Sequence, residues 1–260
     1  MLKKRIVPKL LLKSTFIGET KKMILVTTKK FDEVVIVGDP ISQAKIYEAQ
    51  SSDEIILLNI DSENISHEMM FNLLDKISEE IFMPITIGGG INTIELIRLY
   101  LKNGADKISI NSFGFNNKLF IQEASSRFGA QCIVCSIDYK VDDKEAIVYI
   151  NNGKDKTSTR LLDWAKECER LGAGELLVTN INHDGTNLGL DLKWLDKICK
   201  TVKIPVIASG GCSLASHFID GFNSGAEAIS AGSFFCFKDQ NQFQTRSQIA
   251  NSDIPIRIIR

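Results

Sequence analysis

Gly88-Gly89-Gly90 and Gly210-Gly211 each follow a short apolar run, and Asn111-Ser112 and Ser233 each follow the next apolar run. Glycine lets several backbone N–H groups crowd one anion, and the start of a following helix adds a favourable dipole. Hydroxyl and amide side chains then donate further hydrogen bonds. The pattern suits two phosphate cradles. One holds Gly89, Gly90, Asn111 and Ser112. The other holds Gly210, Gly211 and Ser233, with Asp184 and Gly185 of Asp184-Gly185-Thr186 reaching its rim. The expected ligand is a phosphorylated small molecule. The plainer alternative is that these glycines only make tight turns.

Asp138 ends the apolar run that begins at Ile133. A carboxylate at the mouth end of a strand can act as general acid or base, so Asp138 is the candidate catalytic residue. Ile6-Val7 matches Ile133-Val134 and Lys13 matches Lys140, each 127 residues apart, which sets Leu11 opposite Asp138. Leucine transfers no proton. Asp138 could instead serve only to fix its loop by hydrogen bonds. Arg5, Glu54, Lys107 and Glu175 lie at the other ends of apolar runs. Inward charges there are costly unless paired, and two acids with two bases form a neutral ring. Such a ring could simply plug the floor. The three histidines have no metal-ligand spacing, and neither a metal nor a cofactor is expected.

A repeat positions these residues. Pro84-Ile-Thr-Ile-Gly-Gly-Gly90 reads again as Pro205-Val-Ile-Ala-Ser-Gly-Gly211, and Glu54 and Asn59 return as Glu175 and Asn180, always 121 residues on. Apolar runs predict strands near 5–11, 54–60, 84–88, 106–110, 132–138, 175–180, 205–209 and 227–232. Helical patterns lie between them, at 41–50, 66–80, 93–103, 116–128, 159–171, 191–201 and 213–224. Eight βα units split four and four predict a (β/α)8 TIM barrel, closed from half-barrels at about 1–126 and 127–260 in a single domain, 1–260. Residues 12–39 read as a long loop with Leu25-Val26-Thr27-Thr28 extended, and 139–158 as a loop holding a small hairpin.

Formal net charge is −1, which gives no reason to expect nucleic acid, and no apolar run is long enough to span a membrane. The basic, then apolar start lacks the pattern of a signal peptide. Six cysteines without disulfide or zinc spacing, including Cys132 and Cys135 in one expected strand, read as reduced core thiols of a cytoplasmic protein.

The segments GDP at 38–40, PITIGGGI at 84–91, GADKISIN at 104–111, RFGAQCIV at 127–134, SID at 136–138, LGAGELLVT at 171–179, HDGT at 183–186 and IPVIASGGC at 204–212 resemble the HisF family, the cyclase subunits of imidazole glycerol phosphate synthase. The resemblance covers nearly the whole chain. It implies a HisH-like glutaminase docked under the barrel, which supplies ammonia for joining to a bis-phosphorylated ribulosyl substrate. That substrate is then cleaved and cyclised, a lyase reaction of histidine biosynthesis. It makes Arg5, Glu54, Lys107 and Glu175 the ammonia gate and Asp106 a contact of the glutaminase.

Departures from the pattern lie at the catalytic centre. Leu10-Leu11-Leu12 stands where the family has Leu-Asp-Val. Thr27 falls at the place of a loop lysine, with Lys21, Lys22 or Lys29 as substitutes, and Asn59 replaces an aspartate. Arg5-Ile-Val-Pro-Lys-Leu-Leu-Leu-Lys13 looks like the glycosyl amidation-associated, WbuZ-type branch. That resemblance implies ammonia supply, with the glutaminase, to an ATP-dependent sugar amidotransferase. The first expectation is therefore an ammonia-channelling subunit for amidation of a surface-polysaccharide or nonulosonate sugar. The alternatives are a histidine-pathway cyclase and a non-catalytic scaffold that activates the glutaminase.

Overall fold

The computed structural model describes residues 3–61, 66–237 and 241–257. Its apolar runs are parallel strands, buried on both faces because one face lines a barrel and the other lies under helices. Arg5–Ile17 (β1), Thr20–Lys29 (β2) and Glu33–Gly38 (β3) lead to Pro40–Ala49 (α1). Asp39 of the GDP segment caps α1, accepting from Ser42 N at 2.7 Å, with Pro40 in the first turn where no N–H is needed. Ile55–Asn59 (β4), His67–Ser78 (α2), Ile85–Gly88 (β5), Ile94–Lys102 (α3), Lys107–Ile110 (β6), Ser112–Asn116 (α4) and Lys118–Phe128 (α5) complete the first half. The second half holds Ile133–Asp142 (β7), Glu145–Ile150 (β8), Asp155–Arg160 (β9), Leu161–Arg170 (α6), Glu175–Asn180 (β10) and Leu192–Thr201 (α7). It ends in Val206–Ser209 (β11), Ala215–Asn223 (α8), Ala228–Ala231 (β12), Ser233–Phe237 (α9) and Gln242–Ala250 (α10).

Strands β1, β4, β5, β6, β7, β10, β11 and β12 pair in parallel in that order, and β12 returns to β1. The fold is the expected (β/α)8 TIM barrel. The repeat is visible in the ladders. Leu11 pairs with Leu58 and Leu12 with Asn59; Asp138 pairs with Thr179 and Tyr139 with Asn180. The partners differ by 179 − 58 = 121 and 180 − 59 = 121, so Leu11 and Asp138 are equivalent places in the two halves.

The expected loop at 12–39 is instead a β-ribbon. β1 continues past the barrel to Ile17, returns as β2 through the two-residue turn Gly18-Glu19, and β3 adds to β2. Gly18, at φ 63°, takes the left-handed place such a hairpin requires. Leu25–Thr28 lie within β2. The hairpin expected within 139–158 is present and carries an extra strand. β7 runs to Asp142, turns through Asp143 and Lys144, both left-handed, and pairs with β8, to which β9 adds. Both halves thus raise a β-ribbon above the mouth. The outer strands differ: β3 pairs only with β2 among the described residues and exposes Val34, Val35 and Ile36, whereas β9 is polar.

Val7, Ile56, Val134, Leu177, Ile207 and Ala228 form an apolar ring inside the barrel, and a larger cluster fills the space between strands and helices. Cys132 lies in a 3₁₀ turn ahead of β7 rather than within the strand, because Gly129 ends α5 and the chain turns once before extending. All six thiols are free. Among the described residues no helix is long and apolar enough to cross a membrane.

Helix α10 is pinned to the barrel by Arg246, which donates to Ser51 O, Arg257 O and Asp53 Oδ2 at 3.0, 2.9 and 3.0 Å. Asp53 also accepts from Ile6 N at 2.9 Å. Both side chains are buried, so Arg246→Ala leaves a buried carboxylate without its counter-charge and is expected to cost about 3–5 kcal/mol. In a chain of this size the melting temperature should fall by on the order of 10 °C. A thermal melt followed by circular dichroism tests this, and an unchanged melt would show the anchor to be dispensable.

Candidate functional site at the barrel mouth and floor

The four floor residues meet in a closed ring. Arg5 Nη1 donates to Glu54 Oε2 at 2.7 Å, and Arg5 Nη2 donates to Glu175 Oε1. Lys107 Nζ lies 3.0 Å from Glu54 and 2.9 Å from Glu175. Each acid therefore touches both bases. Thr86 Oγ1 also donates to Glu54, at 2.7 Å. The two glutamates are buried and the two cations half-buried. Asp106 sits at the exposed edge of this face, where its carboxylate accepts from Ile85 N at 2.8 Å.

Strand alternation stacks further layers above the ring. Next comes the apolar ring. Above it Lys9, Ser109, Ser136, Thr179, Ser209 and Ser230 occupy inward positions, all buried. Lys9 Nζ donates to Ser209 Oγ at 2.8 Å and lies 3.9 Å from Asp184. Asp184 also accepts from Thr28 Oγ1 at 2.7 Å.

Asp138 is buried at the mouth and accepts from Asn111 Nδ2 at 2.6 Å. Burial pushes its carboxyl up to about 6, opposed by the Asn111 hydrogen bond and the Lys9 charge and assisted by the Asp184 charge. Burial likewise raises Asp184, against Lys9 and Thr28. A carboxyl titrating near neutral pH suits proton transfer in either direction. The equivalent place in β1 is apolar. Leu11 packs with Ile24 and Val26 of β2, and with Leu58 and Ile60.

The two glycine turns fare differently. Gly185, Gly210, Gly211, Asp184 and Ser233 line one open cleft, together with Lys9, Thr28, Ser209 and Ser230. Gly89, Gly90, Asn111 and Ser112 do not line it. Ser112 Oγ accepts from Asn151 N at 2.8 Å, and Asn111 Nδ2 donates to Asp138. Steric need explains part of both turns: a Cβ on Gly89 would stand 2.2 Å from Asn59 O, and one on Gly210 2.7 Å from Asn180 O. Thr27 is buried in β2 and also lines the cleft, while Lys21, Lys22 and Lys29 are exposed on the ribbon. Among the described residues no cluster of acids, histidines and cysteines could hold a metal.

The family model described as "Histidine biosynthesis protein" matches residues 17–241. The chain belongs to that family. It is 44% identical over 99% of both chains to a putative imidazole glycerol phosphate synthase subunit hisF2 from Prochlorococcus marinus. It is 40% identical to the imidazole glycerol phosphate synthase subunit HisF of Lactococcus lactis subsp. cremoris, covering 100% of this chain and 98% of the relative. It is 42% identical to the subunit HisF of a Hydrogenobaculum species, covering 99% and 100%.

Within this HisF-type barrel, Lys9 is the mouth residue that motif reading missed. Its signal was present: a charged residue in Ile6-Val-Pro-Lys-Leu10, on the same strand face as Arg5 and Val7. Asn151 was missed as well, because a turn's reach across the mouth leaves no local pattern.

The raised Asp138 carboxyl has a consequence for stability. Its ionised form is disfavoured in the fold, so this group's contribution is full below its ordinary value of 3.8 and is lost as pH rises through about 6. Asp138→Asn should therefore be more stable than the unaltered protein at pH 8, by about 1–3 kcal/mol. The gap should close in acid. Denaturant unfolding across pH checks this, and equal stability at pH 8 would contradict the shift.

Proposed function

We propose that the protein is the barrel subunit of a glutaminase-coupled complex of the imidazole glycerol phosphate synthase kind. It takes ammonia in at the floor and uses it at the mouth on a phosphorylated substrate, with Asp138 as general acid or base. The observation that carries the reading is the closed ring of Arg5, Glu54, Lys107 and Glu175, at the end of the barrel opposite Asp138. Because each charge has two partners, Lys107 can swing aside while Arg5 still bridges both glutamates. A HisH-like glutaminase would dock on this face, with Asp106 at the contact. Above the ring, neutral ammonia would pass a short apolar collar and then meet hydroxyl groups that can hydrogen-bond to it.

The relatives' names favour histidine biosynthesis over sugar amidation, so cyclase-type chemistry with one strand-end carboxylate is the first reading. Leu11 favours the second, in which the ammonia passes to a sugar amidotransferase. Loss of a general acid or base typically removes about 10²–10⁴-fold in rate. Cyclisation of the bis-phosphorylated ribulosyl substrate is therefore expected to be slow, and Leu11→Asp should raise it. If neither protein turns this substrate over with ammonium salt, the second reading replaces the first.

Lys107→Ala tests the gate. With a HisH-like glutaminase present, it should lower the glutamine-driven rate while leaving the ammonium-driven rate nearly unchanged. Equal loss of both would make the ring a structural plug. A glutamine-driven rate that does not need this barrel would remove the ammonia-conducting role.

A further inference from the structure

Lys9 stands apart from the other charges inside the barrel. Each floor cation touches two glutamates. Between that ring and Asp138, Lys9 is the one charged side chain pointing inward among the described residues. It is 6% exposed. An ammonium group is strongly hydrated in water, so its burial is costly unless partners replace that water.

The partners are oxygens. Lys9 Nζ donates to Ser209 Oγ at 2.8 Å and lies 3.9 Å from Asp184 Oδ1. Ser230 Oγ lines the same cleft, fully buried and with no hydrogen-bond partner among the described residues. Carboxylate and hydroxyl oxygens suit a hard cation, and a single carboxylate balances one positive charge. Asp184 passes the constraint outward. Its Oδ2 accepts from Thr28 Oγ1 at 2.7 Å and its carbonyl accepts from Lys30 N at 2.9 Å, so the first ribbon rests on this residue. Asp138 is the second carboxyl concerned. Burial raises it, and the Lys9 charge opposes that rise. The other groups acting on Asp138 are Asn111 and Thr179, which hydrogen-bond to it, and the Asp184 charge. Tyr149, its cross-strand partner on β8, has its hydroxyl on Asp142 and Lys140 Nζ 4.6 Å from its ring.

We propose that Lys9 is a built-in monovalent cation, a positioning residue that fills an oxygen-lined cation place beside Asp184, holds that carboxylate under the first ribbon and sets a fixed positive charge within reach of Asp138. The mouth thereby needs no free ammonium or other monovalent ion, although ammonia is delivered beneath it. This rests on the reading above that ammonia enters at the floor and that Asp138 is the general acid or base.

The test removes the side chain and returns the cation. Lys9→Ala opens a place that ammonium or ethylammonium can enter, whereas tetramethylammonium is bulkier and has no N–H group. In either of the first two chlorides the melting temperature of Lys9→Ala should rise by about 2 °C or more over tetramethylammonium chloride of equal concentration. The unaltered protein should show no such difference. Nor should Lys9→Ala/Asp184→Asn, which lacks the carboxylate. If Lys9→Ala is too unstable to purify, its refolding yield in the same salts reads the same site. The second readout is the Asp138 carboxyl, followed by carbon NMR across pH. Its midpoint, about 6 in the unaltered protein, should move upward by about half a unit or more in Lys9→Ala and return toward 6 in ethylammonium chloride. A lysine that only fills space would leave this midpoint in place. Equal behaviour of Lys9→Ala in all three salts, or an unmoved Asp138 midpoint, would overturn the inference. Neither readout uses a glutaminase or a substrate, so a protein without ammonia-coupled activity would sink the proposed function and leave the cation place standing.

Discussion

Because the eight strands close on themselves, each must turn every second residue into the barrel, where it has no solvent to retreat to. That constraint orders the interior from floor to mouth. Arg5, Val7, Lys9 and Leu11 climb the same face of β1 and enter four successive environments: an ion-pair ring, an apolar collar, a hydroxyl layer and the mouth. A glutamate is tolerable at the floor only because two bases meet it there, and the ring's members would be costly to lose one at a time. The same geometry sets Asp138 above Val134 and Ser136, deep enough for burial to hold its carboxyl near neutral pH.

Much of this was legible in the chain. The repeat at 121 residues located both glycine turns and the floor acids, and the separate offset of 127 between the first and fifth strands set Leu11 opposite Asp138, an equivalence that the ladder register bears out. The strand ends were readable to within a few residues where strands are short and buried. The ribbons were less so. Residues 12–39 mix lysines and threonines with short apolar stretches, and β-structure exposed on one side or at an edge leaves a weaker pattern than a barrel strand. The paired glycine turns look alike in sequence, and their surroundings differ through long-range contacts such as those of Asn151 and Asn152, which leave no local pattern. Sugar amidation, expected from the first strand, is less well supported by the named relatives than histidine biosynthesis.

The halves have diverged in how they use equivalent additions. The first ribbon is a wall: Val26, Thr27 and Thr28 of β2 line the cleft, and Lys30 N bonds to Asp184 O at 2.9 Å. The second is tied across the mouth, where Asn151 N donates to Ser112 Oγ and Asn152 Nδ2 to Ile60 O. Their tips touch at Phe31 and Gly153. The halves thus differ in their strand extensions while the barrel ladders keep equivalent registers.

The two outer ribbon strands carry one more consequence, for the life of the chain before and after folding. β9 ends its sheet in Asp155-Lys-Thr-Ser-Thr-Arg160, whose charges and hydroxyls discourage another chain from pairing there. β3 ends its sheet in Val34-Val-Ile-Val37, whose outer edge pairs with no other strand among the described residues; Glu33 is the strand's one charged residue, with Asp32 and Asp39 flanking it. A short, β-branched, uncharged edge is a template for self-association. Strand β3 is thus the edge of this fold that invites another chain, while β9 repels one.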